Sequence, residues 1–508
     1  SGILMRILGV SAGFHDAGLT VLHNDKIVFA GHSERYSKKK HDKELCPGII
    51  EEAFKHGPFD AVAYYETPWK KKTREIYAGQ GFKKGSTWTI KETLKRHFGL
   101  WYTRLPKNVY MFNHHMSHVG AGFQTSPFKD ATVVVIDAIG EWDTVSIWKA
   151  KYNKHPMMGD YGEAYYKKLW SQRYPHSIGL YYSAMTGRLG LRPQDEEYIL
   201  MGMAGWGKNT LSVESMIENA LVKDMGDIKF KQNLHTGVDE EFLKDVHEMD
   251  IAASTQAVVE KLIDEVMARA KKLGKSKNLV YQGGVALNCL YNRNLGKWWD
   301  NIWIMPNPGD CGSSLGAAAL VYGKHLRWQH PFLGTDIEGD YPVDELLNEL
   351  ATNKIVGVAS GRAEFGPRAL GNRSLLADPR GEEIKDKVNE IKRRQKFRPF
   401  APIIMEEFVD QYFEMPKSLP TSPYMQVVAD CKKPNEFPAI VHVDGTSRVQ
   451  TVPENNESGV RQLLEKWFTL TGCPMLLNTS LNIRGEPMVD TRADADRFEK
   501  EYKVKVCS

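Results

Sequence analysis

Two apolar strands that end in reactive turns constrain the fold most. Thr132-Val133-Val134-Val135-Ile136 runs into Asp137, and Asn278-Leu279-Val280-Tyr281 runs into Gln282-Gly283-Gly284. Apolar runs of this kind, without polar alternation, suit strands buried between layers. In α/β sheets, ligands collect outside the strand ends, where Asp137 and the Gly283-Gly284 turn would lie. The expected class is therefore α/β. Residues 6–30 read as a hairpin: Arg6–Ser11, a Gly/His/Asp turn, residues 19–22, a turn at Asn24-Asp25, then residues 27–30. Residues 331–341, rich in Gly, Pro and Asp without periodicity, read as a linker, and Ile355–Ala359 as the strand that opens a second unit. No internal repeat is visible.

A chain of 508 residues has room for two or three domains. Its 42% hydrophobic and 26% charged residues are those of a globular protein, which argues against a disordered chain. No apolar run approaches the length of a membrane span, so no membrane helix is expected. The first residues lack a signal-peptide layout. Met5 reads as the native start and residues 1–4 as an added leader. Six scattered cysteines without C-x-x-C suit free thiols in a reducing cytoplasm. A homodimer is compatible with this composition.

The net charge of +4 hides an asymmetry. Residues 65–107 carry eleven Lys and Arg against three Glu, a net +8 that leaves −4 for the rest. Trp69, Tyr77, Phe82, Trp88, Phe98, Trp101 and Tyr102 are interleaved with those cations. Cations among aromatic rings suit a surface that meets phosphates and bases. A solvated helical face is the competing reading.

Four motifs carry chemistry. In Ser11-Ala12-Gly13-Phe14-His15-Asp16, small residues let a phosphate or acyl group approach the backbone, and His15 is a candidate general base. In Asn113-His114-His115-Met116-Ser117-His118, His114 and His118 are spaced to share one helix face and one metal ion. Asp137 and Asp310 are the candidate carboxylate ligands, with His115 a competing imidazole. Gly283, Gly284 and Asn288, with Gly309 and Gly312 in the loop leading to Ala317, form turns on which a nucleoside or anion can rest. No Gly-Lys-Ser/Thr follows, so this is not a P-loop. The fourth motif is cationic: Arg368 and Arg373 in residues 361–374, then Lys396 and Arg398, with Ser480 and Asn482 offering further donors. Arg binds phosphate oxygens bidentately and Lys supplies a point charge.

Together these motifs resemble the O-carbamoyltransferase family of nodulation, cephalosporin and tobramycin biosynthesis. The resemblance runs from about Met5 to Asp494. Its residues include His15-Asp16, Glu34-Arg35 with Lys40-His41-Asp42, the His114/His118 pair and Met201-Gly202-Met203-Ala204. It continues through residues 283–288, Gly309-Asp310, the run E-F-G-P-R-A-L-G-N-R-S at 364–374, residues 397–402, residues 442–446 and residues 477–480. The departures are Ala138, where the family usually has Gly, and a short charged C-terminus after Asp494.

The resemblance implies an actin-like (ASKHA) domain over residues 5–335 with a metal site, Fe2+ by family, though the ligand types also admit Zn, Mn or Co. It implies a YrdC-like α/β domain over 341–508, with K-x-R as Lys396-x-Arg398 and S-x-N as Ser480-x-Asn482. The implied partners are ATP with Mg2+, carbamoyl phosphate and a hydroxyl acceptor. Arg368, Arg373, Lys396, Arg398, Arg448, Ser480 and Asn482 would bind the first two. Gly283, Gly284, Asn288, Gly309 and Gly312 would hold the carbamoyladenylate. His15 and Asp16 would act on the acceptor, which Arg35 and Lys40 would help bind. The basic stretch directs the acceptor reading to a hydroxymethylated pyrimidine of DNA or a nucleotide. A sugar or natural-product hydroxyl, an N-carbamoylating tRNA modifier and a nucleotide-switched binding module are the alternatives.

Overall fold

The computed structural model describes residues 5–80, 87–154 and 161–508. Residues 1–4 and Phe82 therefore lie outside the described residues. The chain begins as a meander, β1 (Arg6–Ser11), β2 (Gly18–His23) and β3 (Lys26–His32). The sheet is completed by β4 (Ala61–Tyr64) and β5 (Val109–Met111), in the order β3-β2-β1-β4-β5. β1 pairs antiparallel with β2 and β2 with β3, while β1–β4 and β4–β5 are parallel. Between β4 and β5 the chain makes an excursion through α1 (Pro68–Tyr77) and α2 (Ile90–Phe98).

The second sheet repeats this plan. β6 (Asp130–Ile136), β7 (Asp143–Tyr152) and β8 (Ala164–Arg173) are antiparallel neighbours, and β9 (Asn278–Gln282) and β10 (Asn301–Trp303) add in parallel beside β6. The order β10-β9-β6-β7-β8 is that of the first sheet read from its other edge. The chain thus contains a structural repeat that its sequence does not display. Buried apolar strands accept many side chains, so topology can persist where sequence likeness does not.

Between β5 and β6 runs α3 (His114–Thr125), which crosses a helix over residues Ser313–Tyr322. The crossing needs glycine: a Cβ on Gly316 would fall on the Ser117 carbonyl oxygen. That close approach brings the start of α3, the end of β6 and the turn at Asp310 to one place.

The third sheet is built from β11 (Ile355–Ala359), β12 (Arg373–Ala377), β13 (Ala401–Met405), β14 (Gln450–Val452), β15 (Met475–Ser480) and β16 (Val506–Cys507), in the order β14-β13-β15-β12-β11-β16. The span 331–341 is not a bare linker. Phe332–Ile337 is a strand paired antiparallel with Gly361–Glu364, and Arg362 locks it by donating to the Gly334 and Leu333 carbonyls. After Asp494 the chain continues as a helix to Tyr502 and closes the sheet with β16.

Arg373 is a structural residue, against its assignment to phosphate binding. It is fully buried, and all five of its N–H donors go to backbone carbonyls: Asp490, Ser360, Asn372, Thr335 and Gly361. No donor remains for a ligand. Arg373→Met should lower unfolding stability by at least about 3 kcal/mol, because it orphans several buried acceptors. Urea denaturation checks this; an unchanged midpoint would contradict it.

Candidate active site and metal centre

The four predicted metal ligands meet at the crossing of the two halves. His114 and His118 stand one turn apart on α3 and direct their Nε2 atoms to one point. Asp137 follows β6, and Asp310 precedes the Ser313–Tyr322 helix. His114 Nε2 lies 3.0 Å from Asp137 Oδ2 and 3.1 Å from Asp310 Oδ1. The corresponding His118 distances are 3.2 and 3.3 Å. All four residues are buried, and their ligand atoms lie within 4.8 Å of one another.

This donor set fits a metal ion. Two imidazole Nε2 atoms face each other at 3.2 Å, an arrangement that favours a shared cation between them. Behind them, Glu66 Oε2 lies 3.4 Å from His114 Nδ1 and Ser313 Oγ 3.3 Å from His118 Nδ1, so each outer nitrogen has a partner that fixes the ring. Burial alone would raise the Asp137 pKa, but hydrogen bonds from His114 and His118 hold it well below the carboxylate range. Burial likewise opposes ionisation of Glu66, which Lys71 and His114 nevertheless bring down to about 2. Two nitrogens and two carboxylates suit a divalent transition ion. His115 turns away, bonds to Ser146 Oγ at 2.6 Å, and is pushed by burial down to about 3.

A cavity of about 500 Å³ opens from Asp137 and Asp310. His15, Asp16, Lys40 and His41 line one wall, with Gly284, Asn288 and Gly309 nearby. His15 Nδ1 pairs with Asp16 Oδ2 at 2.5 Å, and its Nε2 faces the Gln194 carbonyl at 2.7 Å. A carbonyl only accepts, so both ring nitrogens hold protons here. Burial would depress the His15 pKa, but Asp16 and the Gln194 carbonyl raise it to about 9. His15 is therefore held in its protonated form. His41, absent from the predicted set, shares the same carboxylate: its Nδ1 lies 2.8 Å from Asp16 Oδ1 and its Nε2 3.0 Å from Asp195 Oδ1.

The opposite end of the cavity is cationic. Arg368, Lys392, Arg394, Arg398 and Arg448 all line it, and none has a carboxylate within salt-bridge distance among the described residues. Burial and neighbouring cations depress four of these: Arg368 to about 9 and Arg398 to about 10, with Lys392 and Arg394 well below their ordinary values. Lys392 Nζ donates to the Ser480 and Asn482 carbonyls at 2.6 and 2.9 Å. Tyr198 stands between the two ends, with Lys40 5.1 Å and Arg398 4.7 Å from its ring.

Several assignments change. Lys396 is 67% exposed, pairs loosely with Glu390, and does not line the cavity. Residues 392–398 carry K-x-R twice, and it is Lys392-x-Arg394 that reaches Ser480 and the cavity. The signal was the helix that ends at Ile391, which swings Lys392 inward. Arg35 is buried against the Gly366 carbonyl, outside the cavity, so it cannot meet an acceptor there. Gly283 and Gly312 shape turns rather than a ligand wall, since a Cβ on them would collide with the Ile136 and Asn307 carbonyls. Asn288 lines the cavity, but its amide is exchanged with Gln256 at 3.0 and 3.2 Å. Ser480, Asn482, Arg448 and Lys40 all line the cavity.

A buried His/Asp cluster thus shares one cavity with cations that have no carboxylate partner among the described residues. Comparisons with known proteins give the family. The family description "Carbamoyltransferase N-terminus" matches residues 63–319 and "Carbamoyltransferase C-terminus" matches residues 347–507. The chain belongs to the carbamoyltransferase family and is a carbamoyl-transferring enzyme. It is 33% identical to the uncharacterized protein sll1178 of Synechocystis sp. over 99% of this chain and 96% of that one. It is 27% identical to nodulation protein NolNO of Sinorhizobium fredii, over 95% and 76% of the two chains. Nodulation protein NolO of Bradyrhizobium diazoefficiens is 30% identical over 75% of each. Among solved structures, T. kodakarensis HypF matches 63% of this chain and 48% of its own at 14% identity with a TM-score of 0.35, too distant to carry an argument. No helix among the described residues is long and apolar enough to cross a membrane.

Proposed function

We propose that the chain is an ATP-dependent O-carbamoyltransferase. Residues 5–335 act as an actin-like transfer unit and residues 341–508 as a YrdC-like adenylate-forming unit. One observation carries this reading: the counterion-free cations and the His/Asp cluster open into the same cavity. Buried like charges are costly alone, so the cationic end is built for a polyanion. ATP with Mg2+ and carbamoyl phosphate supply that charge.

In the first half-reaction, carbamoyl phosphate and water give carbamate and phosphate, and a carbamate oxygen attacks the α-phosphorus of ATP. Carbamoyladenylate forms and pyrophosphate leaves, with Arg368, Arg394, Arg398 and Arg448 stabilising the developing charge and Lys392 fixing the Ser480–Asn482 loop. In the second, His15 takes the acceptor's hydroxyl proton while Asp16 orients the ring. The alkoxide oxygen bonds to the carbamoyl carbon and the bond to AMP breaks. A divalent metal bound by His114, His118, Asp137 and Asp310, Fe2+ by family likeness, would supply Lewis-acid polarisation of the carbamoyl carbonyl. His118→Ala should lower the metal retained after gel filtration; full retention would contradict that ligand set. The acceptor we favour is a hydroxymethylated pyrimidine of DNA or a nucleotide.

The pH dependence follows from His15. Its raised pKa keeps it protonated at neutral pH, so the base form grows as pH rises towards about 9. Asp16 favours the protonated state, whereas the charge of His41 opposes it. Transfer under limiting acceptor should climb about tenfold per pH unit below that value and then level off. A rate that falls from pH 7 to 9 would contradict a base role. AMP release dependent on carbamoyl phosphate, measured with and without a hydroxyl acceptor, tests the whole reading. Release without carbamoyl phosphate would overturn it.

A further inference from the structure

Among its described residues the α1–α2 excursion contributes no side chain to the cavity, yet both helices pack on the loop that carries His15. A Cβ on Gly13 would lie 3.3 Å from His97 Nε2 of α2 and 3.6 Å from Lys71 Nζ of α1. Lys71 donates to the Gly13 carbonyl at 3.1 Å and stands over the Phe14 ring. The residue preceding α1, Thr67, donates its N–H to Glu141, and Tyr77 at the far end of α1 meets Trp142 at 5.5 Å between centroids. The excursion therefore borders both the His15 loop and the turn that follows Asp137.

Its outer face is aromatic and cationic. Trp69 and Trp88 are each 48% exposed and Tyr77 is 67% exposed. Helix α2 buries Thr93, Leu94, His97 and Phe98 and turns Lys91 and Lys95, one turn apart, to solvent. Lys70, Lys91 and Lys95 pair with no carboxylate among the described residues; Lys70 lies over the Trp69 ring and donates to Asn113 Oδ1 at 2.8 Å, and Lys95 lies over Tyr102. Exposed Trp69 and Trp88 rings beside ammonium groups that have no carboxylate partner among the described residues mark an interaction surface rather than a merely solvated face. Flat rings between cations fit a strand of bases between phosphates.

Resting on the O-carbamoyl reading, we propose that the outer face of α1 and α2 binds DNA and presents an unstacked nucleotide to His15. The transfer end of the cavity is recessed, with Asp137 and Asp310 both buried, so an acceptor atom inside a duplex could not reach it.

Fluorescence anisotropy of a labelled oligonucleotide with the full chain tests this. K91E/K95E should weaken binding more than about tenfold and flatten the salt dependence of log K by about 1.4, roughly 0.7 for each phosphate left without its cation. W69A/W88A should weaken binding at least about fivefold while leaving the salt slope unchanged. Equal affinity of wild type and K91E/K95E would overturn the proposal. So would polyphosphate competing as well as DNA, or a change in sedimentation mass in K91E/K95E, which would give the face to a second copy of this chain. ATP–pyrophosphate exchange needs no acceptor and should be the same in all these proteins. Its absence in wild type would overturn the adenylate route of the proposed function alone and leave the binding result standing.

Discussion

Arg398→Ala is expected to cut carbamoyl phosphate-dependent ATP–pyrophosphate exchange by about 10²–10³-fold, the usual cost of removing one preorganised charge from a transition state. The same substitution should raise thermal stability. Arg398 lies among Arg368, Lys392, Arg394 and Arg448 with no carboxylate partner among the described residues, and its own pKa is drawn down to about 10 by burial, with Arg484 and Arg448 adding to the depression. Removing it relieves like-charge repulsion and exposes no partner. Its stacking on the Tyr198 ring, at 4.7 Å, is a smaller loss. Lower exchange with a higher melting temperature is the signature of a residue kept for ligand binding at the expense of the fold. Exchange at the wild-type rate would refute its assignment, and a large fall in melting temperature would mark it as structural, as Arg373 is.

His15→Asn should divide the reaction. Transfer to a hydroxyl is expected to fall by about 10²–10⁴-fold, the range for loss of a positioned general base. Exchange should stay intact, because the residues that would form the adenylate belong to the other end of the cavity. Asn is close to isosteric in its first atoms, and Asp16 retains His41 Nδ1 at 2.8 Å, so the loop keeps an anchor. Carbamoyladenylate should then accumulate. Parallel loss of exchange and transfer would sink the division of labour between the two ends.

Much of the buried His/Asp cluster was legible because spacing and strand ends are local signals. His114 and His118 advertise one helix face, and Asp137 terminates an unmistakable apolar strand. Asp310 was found through its glycine neighbours. Other features depend on tertiary neighbours that no local pattern reports. Arg373 sits in a run of the same composition as Arg368, yet one faces five carbonyls and the other the cavity. The two K-x-R elements differ only in their phase relative to the end of a helix, which sets Lys392 inward and Lys396 outward. The strand at Phe332–Ile337 was hidden because Gly334 breaks its alternation and its partner lies beyond a helix and a strand in the sequence. His41 and Asp195 come together only through Asp16 and the loop before α4 (Glu197–Ala204), from distant parts of the sequence. The repeat of the first sheet in the second was invisible for the same reason: topology is conserved by which strands pair, not by which residues they carry.

The two ends of one cavity are held to act through a carbamoyladenylate. Rapid-quench mass spectrometry of the His15→Asn protein, given ATP and carbamoyl phosphate without acceptor, tests this most directly. The expected product is a carbamoyl group bonded to AMP, with pyrophosphate in equal amount and no ADP. ADP with phosphate, or no nucleotide turnover in a folded protein, would contradict it.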